Sequence, residues 1–227
     1  MKQQNQATAW SYRAIAFDLD GVLINSEPLY RRAFINFLRE RRREPEEILF
    51  TKMMGATGRE AILICKEHYQ FDDEPHELSA ACSLHFQKVI EGEPIQLLPG
   101  VINLMEKLTE KRIPFAVATS SGRTYAEKVL DRFGIRSRLQ FLLTGDDVSR
   151  GKPHPEIYLA AAGRFGIEPR EMIVVEDSAN GLRAAQAAGA RCVVVPHELT
   201  PMEHVQSADA RVEGLHAADL LALLNLV

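Results

Sequence analysis

The spacing of apolar residues changes character twice along this chain. Ala14-Ile15-Ala16-Phe17 is a short unbroken apolar run closed by Asp18-Leu19-Asp20-Gly21, the pattern of a buried strand that ends in a turn. Between about residues 24 and 94 the period becomes helical. Leu29, Ala33, Phe34, Phe37 and Leu38 share one helix face; Ile62, Leu63, Cys65 and Lys66 begin a second amphipathic stretch, and Leu78, Cys82, Leu84, Phe86 and Val89 a third. From Leu98-Pro99-Gly100 onward, short apolar runs return at Phe115–Ala118, Phe141–Leu143, Met172–Val175 and Cys192–Val195, with helical patterns between them. That alternation predicts a parallel sheet covered by helices on both faces. The expected division is an α/β core of residues 1–22 and 96–227 and a helical insertion of residues 23–95, with Pro28, Pro94 and Pro99 punctuating the joins.

Composition narrows the class without naming a function. At 227 residues and 46% hydrophobic content, the chain can form one sizeable core and a smaller second domain. Its 27 basic and 31 acidic residues give a net charge of -4, which offers no electrostatic footprint for nucleic acid or an anionic membrane. The dense basic run Arg39-Glu40-Arg41-Arg42-Arg43 reads as a solvated helix end. Cys65, Cys82 and Cys192 are odd in number and widely spaced, so they predict small buried hydrophobes rather than disulfides or a zinc site. The Met1-Lys2-Gln3-Gln4-Asn5-Gln6 stretch lacks an apolar segment of signal-peptide length, and no run reaches transmembrane length. The expected setting is therefore the cytoplasm, with a monomer as the starting expectation and a dimer left open.

The chemistry-bearing residues cluster where the pattern ends its strands. Residues two apart in extended chain point the same way, so Asp18 and Asp20 can address one pocket as nucleophile and acid/base, while Gly21 lets the backbone turn away. Alone, such a pair is equally a solvated turn. Glu176-Asp177 follows Ile173-Val174-Val175, and either acid or Ser178 can cap the helical stretch that leads to Gly189. Four acids would face the single Lys152, and two like charges 4 Å apart repel by about 4 kcal/mol at an effective dielectric near 20. A phosphate entering such a pocket needs a divalent cation, and an all-oxygen carboxylate shell suits Mg²⁺. Lys152 can neutralise phosphoryl oxygens, Thr119 can donate its hydroxyl with the Ser120 amide beside it, and Ser121 is expected to cap the next helix. His154 is expected at a loop and helix entry, and His68, His76, His85, His197, His204 and His216 form no metal-ligand pattern.

Four fragments, Asp18-Leu19-Asp20-Gly21-Val22, Ala118-Thr119-Ser120-Ser121, Gly151-Lys152-Pro153 and Glu176-Asp177-Ser178, occur in an order that resembles the haloacid dehalogenase-like superfamily from about residue 13 to the end. The resemblance implies a doubly wound, Rossmann-like core with an inserted α-helical cap that closes over the site and supplies specificity contacts. It implies that Asp18 becomes the aspartyl-phosphate and that Asp20 is the general acid/base of the phosphatase branches. A halide-removing enzyme lacks that second carboxylate. Combined with the charge argument, it implies Mg²⁺ held by the Asp18 and Asp177 carboxylates and the Asp20 carbonyl, with Glu176 ligating directly or through water. Asn25, Glu27, Tyr30, Thr57 and Arg59 are the expected substrate-facing cap residues.

Within the superfamily, the chain resembles the β-phosphoglucomutase-like and small-metabolite phosphatase branch. The mutases carry a cap histidine about ten residues beyond the acid/base aspartate. Tyr30 stands there in this chain, and Gly58-Arg59 offers no clear counterpart of the mutase cap arginine. The segment Ile113–Gly122 resembles small-metabolite phosphatases, including pseudouridine 5'-phosphatases. The implied activity is Mg²⁺-dependent hydrolysis of a small phosphomonoester, a sugar phosphate or nucleotide-like metabolite. A phosphosugar mutase and a non-catalytic phosphometabolite-binding module are the alternatives.

Overall fold

In the computed structural model, which describes residues 10–53, 58–92, 94–197 and 200–226, the first apolar run forms β1 (Ala14–Phe17), buried throughout. It lies inside a six-stranded sheet with β2 (Phe115–Ala118), β3 (Leu142–Leu143), β4 (Met172–Glu176), β5 (Arg191–Val194) and β6 (Ala210–Arg211). The strand order is β3-β2-β1-β4-β5-β6, and every pairing is parallel. Continuous apolar runs such as Ile173-Val174-Val175 arise because a parallel sheet of this kind is covered on both faces. After β3 the chain returns to lay β4 on the opposite side of β1. The order therefore reverses beside β1, and the crevice beyond the strand ends at such a reversal is where open α/β sheets bind ligands.

In chain order the helices are α1 (Glu27–Glu40), α2 (Glu47–Met53), α3 (Gly58–Tyr69), α4 (Pro75–Gly92), α5 (Val101–Glu110), α6 (Arg123–Arg132), α7 (Glu156–Phe165), α8 (Ala179–Ala188) and α9 (Ala218–Leu223). The small faces of α7 and α8 let these helices approach the sheet closely. Ala161, Ala162, Ala184 and Ala185 form one core cluster with Ala16, Ala118, Val174 and Cys192. Ser178 caps α8 by accepting from the Gly181 N–H at 3.0 Å, and Gly189 ends that helix in a left-handed conformation.

The chain separates into two compact units, one running through Ile24 and resuming at Leu97, the other Asn25–Gln96. The second unit is helical and has its own core of Phe34, Phe37, Leu38, Leu49, Ile62, Cys65 and Leu78. Leu63 and Leu84, expected on its buried faces, are instead 43% and 57% exposed. Periodicity missed α2 because only Leu49 of that short helix is buried. The basic run is not simply solvated. The Arg41 guanidinium lies 4.6 Å from the centroid of Phe37 and pairs with Asp73 at 3.2 Å, using its planar cation to cover an aromatic surface. β6 also went unpredicted, because two residues at a sheet edge leave no alternation to detect. The Gly55-Ala56-Thr57 segment lies outside the described residues. No described helix is long and apolar enough to cross a membrane.

Candidate active site

The β1–β4 register aligns Phe17 with Val175, and the Asp18 N–H donates to the Val175 carbonyl at 2.9 Å. Asp18 therefore leaves the sheet beside Glu176, the last residue of β4. Lys152 joins them. Its Nζ donates to Asp18 Oδ1 at 2.5 Å, to Glu176 Oε1 at 2.7 Å and to the Ala118 carbonyl at 3.0 Å, which uses the three donors of an ammonium. The Lys152 side chain is only 5% exposed, so these partners replace its water. Its peptide bond to Pro153 is cis.

Glu176 is bound on both oxygens. Oε1 also accepts from the Tyr158 hydroxyl at 2.6 Å, while Oε2 accepts from Ser178 Oγ at 3.1 Å and from the Asp177 N–H at 3.2 Å. Tyr158 was not anticipated as a site residue. Its position on the otherwise apolar buried face of α7 was the available signal, because a buried phenol requires a polar partner.

Asp177 is a further residue sequence reasoning left incomplete. His197 Nε2 lies 3.2 Å from Asp177 Oδ2, and Thr200 Oγ1 donates to the Asp177 carbonyl at 3.1 Å. His197 thus serves the acidic cluster although it has no ligand-like spacing in sequence. Gly21, with φ +74°, also runs against Asp177, where a β-carbon would overlap the Asp177 carboxylate.

Asp20 lies in the turn between Asp18 and Ile24. Its Oδ2 accepts from Ser121 Oγ at 2.6 Å, and its Oδ1 accepts from the Tyr125 hydroxyl at 2.9 Å. Ser121 is consequently not the expected helix cap. Gly122 occupies that position in α6, and the free N–H of Arg123 is taken by Asp146 Oδ2 at 2.7 Å. Thr119 is buried directly after β2, and its Oγ1 accepts from the Ser121 N–H at 3.1 Å. Ser120 is exposed beside it, with Gly145 packed against its carbonyl. Asn25, Glu27 and Arg59 belong to the helical unit: Asn25 is exposed, Glu27 opens α1, and Arg59 is exposed in the first turn of α3. His154 is a helix-entry residue whose Nδ1 accepts from the Glu156 N–H at 3.3 Å.

The electrostatics divide the cluster. Burial pushes the Asp18 carboxyl well above its ordinary range; Lys152 opposes the shift, while Glu176, Asp177 and Asp20 reinforce it. Burial also raises Asp177 to about 6, against the hydrogen bond from His197. Glu176 and Lys152 move oppositely. Burial disfavours charge on both, yet Lys152 and the Tyr158 and Ser178 hydroxyls hold Glu176 below the usual carboxylate range. Asp18 and Glu176 likewise hold Lys152 above the usual lysine range.

Asp18, Glu176 and Asp177 can each offer a ligand oxygen, with those atoms all within 4.8 Å of one another. The set is all oxygen and exceeds the positive charge of Lys152, which fits a hard divalent cation. Glu176 is already engaged on both oxygens, whereas Asp18 and Asp177 are the acids whose ionised forms are least satisfied without added positive charge.

Comparison with known proteins agrees with this geometry. Residues 15–195 match the family of haloacid dehalogenase-like hydrolases. The chain is 34% identical over 185 residues to validoxylamine A 7'-phosphate phosphatase of Streptomyces hygroscopicus subsp. limoneus, an alignment covering 80% of this chain and 84% of that protein. It is 33% identical over 198 residues to the phosphorylated carbohydrates phosphatase of Thermotoga maritima, covering 87% and 91% respectively. The crystal structure of CbbY from Rhodobacter sphaeroides in complex with phosphate matches with a TM-score of 0.77 at 30% identity, over 90% of this chain and 95% of that one. With this fold and these relatives, the chain belongs to the haloacid dehalogenase-like hydrolases.

Proposed function

We propose that this protein is a Mg²⁺-dependent phosphatase that hydrolyses a small phosphomonoester, a sugar phosphate or nucleotide-like metabolite, through an aspartyl-phosphate on Asp18. The observation that carries the reading is Lys152 bridging Asp18 and Glu176 at the strand reversal, with Asp177 alongside. The named activities of the relatives, phosphatases of validoxylamine A 7'-phosphate and of phosphorylated carbohydrates, support the reaction class and the substrate class.

In this reading an Asp18 carboxylate oxygen attacks phosphorus as the bond to the leaving oxygen breaks. Asp20 gives its proton to that leaving oxygen, then accepts a proton from the water that attacks the phosphoryl group and releases Asp18. Lys152 holds Asp18 oriented and balances its charge; Thr119 and the Ser120 amide bind phosphoryl oxygens. Mg²⁺ would be held by the Asp18 and Asp177 carboxylates and the Asp20 carbonyl, with Glu176 orienting Lys152 and ligating the ion directly or through water. When bound, it supplies the positive charge that lets a dianionic phosphate enter this acidic pocket. Asn25, Glu27 and Arg59 are assigned to substrate selection from the helical unit. The setting in this reading is cytoplasmic, and the working unit a monomer with a dimer as the alternative.

The mutase reading has less support. Tyr30 occupies the position of the mutase cap histidine, and its ring stacks on Phe86 with centroids 4.0 Å apart. A phenol in that stack does not supply the histidine's chemistry.

The test is phosphate release from a panel of sugar phosphates, nucleotides and phosphorylated acids, with β-glucose 1-phosphate isomerisation followed separately. Turnover should require Mg²⁺, stop in chelator and disappear in Asp18→Asn. Release that survives Asp18→Asn defeats the covalent mechanism, and isomerisation without net release establishes the mutase.

A further inference from the structure

We infer that Ser121 and Tyr125 are positioning residues for Asp20, and that Tyr125 sets the carboxyl for proton transfer to the leaving oxygen. This rests on the reading of Asp20 as acid/base. The main chain of Asp20 is fixed by its turn: Gly21 N–H donates to the Ile24 carbonyl at 2.9 Å, and Asp20 bridges to Ile24. Its side chain still has two rotatable bonds. Ser121 Oγ on Oδ2 at 2.6 Å and Tyr125 Oη on Oδ1 at 2.9 Å remove that freedom, because rotation of the carboxyl group breaks at least one bond.

The two donors stand on a braced frame. Ser121 is held through its N–H on Thr119 Oγ1 at 3.1 Å and through its carbonyl, which accepts from the Gly145 N–H at 3.0 Å. Tyr125 lies in the first turn of α6, whose entry is tied down by Arg123: the N–H reaches Asp146 at 2.7 Å and the guanidinium reaches Asp147 at 2.5 Å. Asp147 in turn accepts from the Thr144 N–H at 2.8 Å, just beyond β3. The chain of contacts therefore runs from the sheet through two loops to one carboxyl group.

The arrangement suits both halves of a proton relay. A carboxylate accepts on either oxygen, and a protonated carboxyl keeps acceptor capacity beside its single O–H. Neither Ser121 nor Tyr125 has to lose a proton while Asp20 gives its proton to the leaving oxygen and regains one from water. Fixed geometry matters most when the leaving oxygen is strongly basic, because that is when bond breaking needs the proton.

The experiment uses p-nitrophenyl, phenyl and p-methoxyphenyl phosphates, which differ in leaving-group basicity and do not require knowledge of the natural substrate. In Tyr125→Phe, kcat/KM for phenyl and p-methoxyphenyl phosphate should fall roughly 10-fold further than for p-nitrophenyl phosphate, part of the range general acid catalysis supplies. KM should stay within about twofold, since proton delivery rather than binding is impaired. Ser121→Ala, assayed alongside, should steepen the leaving-group dependence in the same sense. Equal losses on every phosphate, no change, or faster turnover overturns the inference. Asp20→Asn separates the two levels of argument. If it shows no leaving-group dependence, the acid/base reading of Asp20 fails; if it shows that dependence and Tyr125→Phe does not, only the positioning role fails.

Discussion

Gly181 stands so close to Glu176 that a β-carbon on it would overlap the carboxyl carbon and both carboxylate oxygens. The first turn of α8 is thus the wall against which the buried acid is pressed, and the absence of a side chain there allows Glu176 to reach Lys152 and Tyr158 together. Gly181→Ala should push the carboxylate off these partners. Destabilisation of about 1–3 kcal/mol is expected from overpacking, with turnover reduced on the order of 10²-fold as Lys152 loses its position. Urea denaturation and steady-state kinetics of the variant check both.

Lys152 is the one cation shared by Asp18 and Glu176 among the ion pairs described. In Lys152→Met both acids lose it while staying buried, and breaking a buried pair in this way costs about 3–5 kcal/mol. The loss should shrink as pH falls, since the stranded carboxyls then take up protons and no longer bear buried charge. Lys152→Arg should not restore activity, because a planar guanidinium cannot reproduce three converging bonds from one nitrogen. Equilibrium unfolding of both variants at several pH values provides the measurement.

What the sequence exposed and what it concealed follow from the range of each contact. Asp18 and Glu176-Asp177 were legible because each ends an apolar run, and parallel strands bring such ends to one edge. Lys152 sits between glycine and proline with no periodicity around it, so its assignment depended on the order of the other fragments. The partners of Asp20 could not be seen. Tyr125 is 105 positions away in sequence, and a tyrosine in the polar first turn of a helix carries no mark of its acceptor. His197 was hidden for the same reason, since the β4–β5 pairing, rather than any local spacing, brings the chain after β5 beside Asp177. The helical unit was legible as helices but not in full, because faces such as those of Leu63 and Leu84 are apolar yet exposed.

The cysteines should behave as packing groups. Burial raises Cys65 to about 12 and Cys82 to about 11, and raises Cys192 well above the ordinary thiol value, although Cys82 is only half-buried rather than sealed in the core. Thiolate is the reactive form, so iodoacetamide at about pH 8 should label the native chain at least roughly tenfold more slowly than the urea-unfolded chain. Cys82 should be modified first. Mass spectrometry of timed samples reads the order, and a reductant should leave the melting temperature unchanged.

Asp177 links proton uptake to stability. Its folded value of about 6 exceeds the ordinary aspartate value of 3.8, so the native state binds this proton more tightly than the unfolded chain does. The resulting stabilisation is fully present below the ordinary value and is lost as pH rises through about 6. In chelator, the melting temperature should therefore rise as pH is lowered from about 7 to about 5, against the trend set by acids whose values are depressed. Asp177→Asn should reduce that slope, leaving the share contributed by Asp18, which is shifted in the same direction. On the proposed assignment of Mg²⁺ to Asp177, the ion competes with the proton for the carboxylate, so saturating Mg²⁺ should stabilise the wild type most near neutral pH and least near pH 5, weakening or reversing the slope. Melting curves across pH, with chelator and with Mg²⁺, separate the contributions. An unchanged slope in chelator for Asp177→Asn would mean that this carboxyl does not bind its proton more tightly in the native state.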